Sequence, residues 1–121
     1  MIMIKKILYL ITFMGLFFAS CSSDKKYKEY KINDLSKPIF DTLTFVKDGR
    51  IIGLEVLVIG NVKGKAVLEF ENGSGRFNRI NLENQVNQVY ETEWYSPKLA
   101  FKYLPEKNIK GDSLIIKYRM Y

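Results

Sequence analysis

The chain has 121 residues, the length of one ordinary domain. It carries 19 Lys and Arg against 13 Asp and Glu, a formal net charge of +6, and it contains no histidine and a single cysteine. This composition excludes catalytic triads and zinc sites built on imidazole, zinc sites built on paired cysteines, and any disulfide within the chain.

The first 20 residues have the organisation of a secretory signal. Lys5 and Lys6 form a short positive region, residues 7–19 form an apolar run, and Ser20 continues the small-residue end of that run. An ordinary membrane-spanning helix needs about 20 apolar residues, so this run is too short to be one. The pattern predicts export followed by removal of the segment.

The only cysteine follows this segment directly. Phe18-Ala19-Ser20-Cys21 resembles the lipobox of bacterial lipoproteins, although that motif usually has leucine where Phe18 stands. The resemblance implies that signal peptidase II cuts before Cys21 and that Cys21 is acylated, and two or more acyl chains give stable membrane attachment. The alternative is an ordinary signal with a chance cysteine, which the position of the only cysteine disfavours.

The residues after Cys21 bear on localisation. An aspartate in place of Ser22 would signal inner-membrane retention in enterobacterial lipoproteins, so the resemblance implies the outer membrane. With its Lys- and Tyr-rich, low-complexity start and its aromatic-rich body, the mature chain is also similar to small lipoproteins of Bacteroidota, in which acidic residues after the cysteine promote surface display. Here one acid, Asp24, is followed by Lys25 and Lys26. We therefore expect an outer-membrane lipid anchor on the periplasmic face.

The mature chain divides into a tether and a folded domain. Residues 21–38 are predicted to form a lipidated, flexible tether, because charges are dense there and apolar side chains are sparse. Residues 39–121 are predicted to form the domain. Its β-branched and aromatic runs alternate with turn residues, as in an all-β fold, and the candidate strands cover 39–46, 51–59, 66–71, 77–82, 99–104 and 114–121. We predict a single antiparallel β-sandwich of about seven strands.

The segment 82–90 fits two structures. Leu82, Val86, Val89 and Tyr90 stand at i, i+4, i+7 and i+8, which is helical spacing, and Asn81 is a suitable N-cap. The alternatives are a short helix across the end of the sandwich and a strand with a poor pattern, and the sequence leaves both open.

The titratable residues give little support for catalysis or metal binding. Without histidine, the pairs Glu69/Glu71 and Glu91/Glu93 are the main acid–base candidates, and we interpret them as solvated side chains on a domain too small for a catalytic cleft. No dense acidic loop is present to bind calcium. We expect no enzyme activity, no cofactor and no metal. An exported chain whose basic residues are mixed with acids is also a poor candidate for nucleic-acid binding.

The aromatic residues are concentrated after position 89. Tyr90, Trp94, Tyr95 and Lys98 are the candidate ligand-binding residues, because aromatic rings stack on the apolar faces of sugars and Lys adds hydrogen bonds. A glycan or peptidoglycan face around Trp94 requires an exposed Trp94 ring. The interpretation we favour makes Trp94 the core tryptophan of the domain.

We therefore expect a lipid-anchored cell-envelope protein that acts as a binding or accessory assembly module through contacts with an envelope protein partner. A sheet edge can pair with a partner strand, and Leu114–Tyr121 is the candidate edge. Recognition of a glycan or peptidoglycan by the aromatic face around Trp94 is the alternative.

Overall fold

Six antiparallel strands account for the fold in the computed structural model, which describes residues 26–121. The strands, in chain order, are β1 (Lys28–Ile32), β2 (Ile39–Thr44), β3 (Gly53–Glu71), β4 (Phe77–Glu93), β5 (Lys98–Pro105) and β6 (Lys110–Met120). Within this range no helix is long and apolar enough to cross a membrane. The predicted signal segment and Cys21 lie outside the described residues.

The central strand is β3, which is 19 residues long. One of its edges pairs with β4 along the whole strand. Its other edge pairs with β6 over the first part and with β5 over the second part. The strands β1 and β2 flank β6 and β5, so the hydrogen-bonded order is β1-β6-β3-β5-β2, with β4 paired to β3 outside this path.

An irregularity in the middle of β3 allows the change of partner. The register with β4 shifts between Val62 and Lys65, where Gly64 has a φ of +122° and Asn84, on β4, has a φ of +56°. Bulges of this kind bend a strand and increase its twist. The β3–β4 hairpin is therefore folded back, and its turn at Gly73 lies against the Trp94 ring beyond the end of β4.

Side chains bridge the two flanking strands and bring the sheet close to closure. The Tyr30 hydroxyl donates to Asp41 Oδ2 at 2.6 Å. The Thr44 carbonyl accepts from Lys28 Nζ at 3.2 Å and from the Tyr118 hydroxyl at 2.8 Å. The prediction of an antiparallel all-β fold is confirmed. The predicted sandwich of about seven strands is replaced by one nearly closed, barrel-like sheet of six, because β3 bends and changes partner instead of ending.

The interior is filled by alternate side chains, since residues i and i+2 of a strand share a face. On β3, Leu54, Val56 and Val58 before the bend and Leu68 and Phe70 after it are fully buried. Burial of such side chains contributes about 1.5–3 kcal/mol each. The facing strands add the alternating residues that the sequence predicts: Leu99, Phe101, Tyr103, Leu114, Ile116, Tyr118 and Met120.

The helix considered for 82–90 is wrong, because the segment is part of β4. It pairs with β3 from Leu82 opposite Ala66 to Tyr90 opposite Val56. A spacing of four residues returns a side chain to the same side of both a helix and a strand, so Leu82 and Val86 fit either structure. Val89 distinguishes them: it lies on the other face of the strand and is 62% exposed.

The predicted tether overlaps the folded domain. Within 21–38, β1 pairs with β6 in a register that places Lys28 opposite Tyr118. The few apolar residues of this segment are placed where they reach the interior, and Ile32 and Leu35 are 1% and 4% exposed. Sparse apolar composition therefore concealed a short strand.

Candidate functional site

Two of the four candidate ligand-binding residues, Trp94 and Tyr95, lie at one end of the sheet, which we call the Tyr95 end. It consists of the loops 45–52, 72–76 and 94–97 together with Tyr121. Three shallow clefts meet here, and Tyr95 lines all of them. The strand ends hold the loops together, since the Phe45 amide donates to the Pro97 carbonyl at 3.0 Å.

The opposite end, which we call the bend end, contains the connections 33–38 and 106–109 and the irregularity of β3. Its segments are joined by backbone bonds: the Glu106 amide donates to the Lys65 carbonyl at 2.9 Å. The buried Tyr103 hydroxyl donates to the Leu35 carbonyl at 2.7 Å. These contacts tie three separate parts of the chain together.

Tyr95 is the candidate residue whose ring is available to a ligand. Its side chain is 67% exposed, and its hydroxyl donates to Glu93 Oε2 at 3.0 Å. This bond to a carboxylate raises the pKa of Tyr95. Arg50 lines one of the same clefts and supplies a cationic donor beside the ring.

Trp94 lies in the interior, as the favoured interpretation expects. It is 6% exposed, and its Nε1 is buried without a hydrogen-bond partner among the described residues. The folded-back turn at Gly73 packs against its ring. Trp94 closes the interior at this end, and the exposed indole that an aromatic face around Trp94 requires is not present.

Tyr90 and Lys98 do not line the clefts in which Tyr95 lies. Tyr90 is half-buried on the inner side of β4, where its ring stacks on Phe70 at 6.0 Å between centroids. Its hydroxyl accepts a hydrogen bond from Asn78. Lys98 is exposed at the start of β5, paired with Thr44. The structure thus brings Trp94 and Tyr95 to one end, and Tyr95 alone of the predicted aromatic residues presents its ring.

Further exposed apolar residues surround Tyr95. Of the seven large hydrophobic side chains that are exposed in residues 26–121, four line the clefts of this end: Val46 (89%), Ile52 (56%), Tyr95 (67%) and Tyr121 (37%). Lys47 and Arg50 lie in the same loop as Val46 and Ile52. Sequence reasoning assigned Val46 and Ile52 to strands and missed this surface, although their position beside the Asp48-Gly49 turn was a signal for a loop.

A buried ion pair lies at the border of the Tyr95 end. Glu55 is 5% exposed on the outer side of β3, and its Oε2 accepts from Arg119 Nε at 3.0 Å and Nη2 at 2.9 Å. Its Oε1 accepts from the Tyr27 hydroxyl at 2.5 Å, which raises the pKa of Tyr27. The Arg119 guanidinium also lies 4.3 Å from the Tyr121 ring centroid. Neutralised and bonded in this way, the Glu55 carboxylate is a structural group.

Among the remaining carboxylates, Glu91 and Glu93 line one cleft of the Tyr95 end, and Glu83 and Glu106 line a cleft beside Lys65 at the bend end. Glu69 pairs with Arg79 at 3.4 Å, and Glu71 Oε1 accepts from the Ala100 amide at 3.0 Å. Within residues 26–121 no three Asp, Glu, His or Cys residues lie close enough together to hold a metal ion.

A second candidate surface is the outer edge of β4. Among the described strands β4 pairs only with β3, over a length of 17 residues, so no strand pairs with its other edge. Two side-chain bonds join the halves of β4 on either side of Asn84: Gln88 Nε2 donates to the Asn81 carbonyl at 3.5 Å, and Asn78 Nδ2 donates to the Tyr90 hydroxyl. Backbone N–H and C=O groups on an open edge are available to another strand. On the outward face beside it, Val89 and Ile59 are 62% and 38% exposed. The edge expected at Leu114–Tyr121 is wrong, because β6 lies between β1 and β3.

No known protein family matches this chain, and a comparison with curated proteins found no match either.

Proposed function

We propose that this protein is a lipid-anchored cell-envelope module that binds a protein partner by strand pairing at β4. The observation that carries the proposal is the edge of β4 with which no described strand pairs. The acyl anchor at Cys21 comes from the lipobox resemblance, and the outer membrane and its periplasmic face come from the residues that follow Cys21.

The half of β4 that follows the irregularity, residues 86–93, is the better docking edge. The other half ends at Asn84, whose φ of +56° breaks the regular strand, and such irregularities oppose strand pairing. Along 86–93 an added strand would gain main-chain hydrogen bonds and a contact with the exposed Val89 side chain. Glu91 and Glu93 are exposed there and favour a partner strand with Lys or Arg opposite them.

Photo-cross-linking in intact envelopes tests this surface. A photoreactive residue at position 89 is expected to capture one protein near stoichiometry, whereas one at Phe40, which is 66% exposed on β2, is the matched control and should capture none. Val89→Lys should weaken capture at a neighbouring position, because an edge lysine opposes strand pairing. Capture of a second copy of this chain alone would replace the heterologous partner with self-assembly, and equal capture from both positions would contradict the proposal.

The anchor is tested separately. Cys21→Ala should leave an unlipidated precursor or a mislocalised protein, detected by mass spectrometry and membrane fractionation. Normal membrane retention of this variant would contradict the lipoprotein assignment.

Glycan or peptidoglycan binding is the alternative, and the exposed Tyr95 ring beside Arg50 is the observation that supports it. Because the Trp94 ring is buried, this function would depend on Tyr95. Titration with soluble cell-wall fragments should then change the fluorescence of the adjacent Trp94, and Tyr95→Ala should abolish the change. An unresponsive wild-type protein would remove the alternative.

A further inference from the structure

The point where the chain joins the domain is fixed at the Tyr95 end. The Tyr27 hydroxyl bonds to Glu55 at 2.5 Å, and the Arg119 guanidinium lies 5.8 Å from the Tyr27 ring centroid. The same guanidinium lies over the Tyr121 ring, which packs so closely on Gly53 that a Cβ there would be 2.5 Å from it. The start of the described chain is therefore next to Tyr121, on the border of the Tyr95 clefts.

The sequence limits how far this end can be from an acylated cysteine. Cys21 precedes Lys26 by five residues. A chain spans at most about 3.3–3.6 Å per residue, so the connection reaches about 18 Å at most. The bend end lies further away by the length of the strands, since the eight residues of β5 alone cover about 26 Å. An anchor at Cys21 thus holds the Tyr95 end, and not the bend end, close to the lipid headgroups.

The apolar and cationic side chains of the loop 45–52, together with Tyr95 and Tyr121, match that position, whereas Glu91 and Glu93 line the cleft on the β4 side of this end. Val46 and Ile52 are exposed aliphatic residues, Tyr95 and Tyr121 are exposed aromatic residues, and Lys47 and Arg50 supply cations. Tyr rings favour the membrane–water interface, and Lys and Arg are attracted to anionic headgroups. In the connections of the bend end, within the described chain, no large hydrophobic side chain is exposed.

We infer that the Tyr95 end is a membrane-contact surface that rests on anionic lipid headgroups, with Val46, Ile52 and Tyr95 at the interface and Lys47 and Arg50 on the phosphates. The inference rests on the acylation of Cys21 in the proposed function. It adds an orientation: the strands stand away from the bilayer, and the outer edge of β4 faces the aqueous space, where a partner can reach it.

The test uses the mature, lipidated protein in vesicles of phosphatidylethanolamine and phosphatidylglycerol. Because Cys21 is acylated, Val46→Cys provides the only free thiol for an environment-sensitive fluorophore, and Lys107→Cys provides the matched site at the bend end. We expect blue-shifted emission and quenching by nitroxide lipids at position 46, and water-like emission at position 107. Lys47→Glu with Arg50→Glu should reduce the quenching at position 46, as should high salt.

The outcomes separate this inference from the proposed function. A protein that carries no acyl chain by mass spectrometry overturns both. An acylated protein with the same water-like emission at positions 46 and 107 overturns the membrane contact alone and leaves the anchor and the β4 edge standing. A label at position 46 that responds to soluble cell-wall fragments in detergent, and not to nitroxide lipids, makes this end a glycan site and also overturns the inference.

Discussion

The two ends of the sheet are joined by the same strands but have opposite construction. At the bend end, backbones approach so closely that side chains are excluded. A Cβ on Gly60 would collide with the Ser113 carbonyl, and one on Gly111 would collide with the Asn61 carbonyl. This end is where the sheet changes direction and closes.

The Tyr95 end is open by comparison. No atom lies within 4 Å of a Cβ placed on Gly49 or Gly75, and its loops expose Val46 and Tyr95. The difference indicates that closure of the fold is concentrated at one end, which leaves the loops of the other end free to carry recognition on a rigid scaffold. Trp94 is the exception, because it completes the interior at the open end.

The largest expected effect separates Trp94 from its neighbour. Trp94→Ala should lower the free energy of unfolding by about 3–5 kcal/mol, because it leaves a cavity in the interior. Tyr95→Ala should change it by about 0.5 kcal/mol or less, since exposed substitutions are usually small. Urea denaturation of both variants measures the difference. Equal losses would mean that Tyr95 also supports the fold, and the distinction between scaffold and surface at this end would fail.

The next effect tests close packing at the bend end. Gly111 has a φ of +150°, and Gly111→Ala adds a collision with the Asn61 carbonyl to this backbone strain, so we expect a loss of about 3 kcal/mol. Gly75→Ala, at a φ of +81° in open space, should cost about 1 kcal/mol from strain alone. Denaturation midpoints provide the comparison, and a Gly75 variant as unstable as the Gly111 variant would show that the ends are not different in this respect.

A smaller effect concerns single hydroxyl groups. Tyr103→Phe removes the donor to the Leu35 carbonyl at the bend end and should cost about 1–3 kcal/mol. Tyr95→Phe removes a hydroxyl that is bonded to Glu93 in solvent and should leave stability almost unchanged. Thermal unfolding of the two variants checks this, and a neutral Tyr103→Phe would indicate that the bond across the bend end contributes little.

The smallest effect is expected from pH at the β1–β2 seam. The hydrogen bond from Tyr30 to the Asp41 carboxylate raises the pKa of Tyr30 to about 12 and lowers the pKa of Asp41. The contribution of Tyr30 is therefore present below about pH 10 and lost between pH 10 and 12, and that of Asp41 is present above about pH 4 and lost as the pH falls below that value.

Melting temperatures across these two ranges measure both losses. Tyr30→Phe should reduce both the acid and the alkaline loss of stability. It should remove neither completely, because the Thr42 amide also lowers the pKa of Asp41 and burial raises the pKa of Tyr103 to about 12. An unchanged pH profile would mean that the seam contact contributes no measurable stability.

The sequence predicts which side chains of a strand face the interior, but it does not predict which strands pair. The alternation of β5 and β6 predicts their buried faces correctly because it depends only on the period of a strand. By contrast, the predicted strands 51–59 and 66–71 leave a break that contains Gly60 and Gly64. In the structure both glycines lie within a single β3, where glycine permits a bulge and a close approach of β6. That requirement arises from partners distant in the chain, so no local pattern reveals it.

The candidate site was predictable to a similar degree. Tyr95 was among the candidates because aromatic residues cluster near it. The burial of Trp94 against Gly73 depends on the folding back of the hairpin, and the exposure of Val46 and Ile52 depends on where β2 and β3 stop. These are properties of the assembled sheet.

The pairing of β1 with β6 has a consequence for the order of folding. Lys28 is opposite Tyr118, so the first described strand finds its partner almost a full domain length later in the chain. Non-local pairings of this kind cost loop-closure entropy before their contacts stabilise the chain. Domains dominated by such pairings fold in milliseconds to seconds. We expect the β3–β4 hairpin to form early and β1 to be added last, so an unfinished molecule has a bare β6 edge that β1 will later cover.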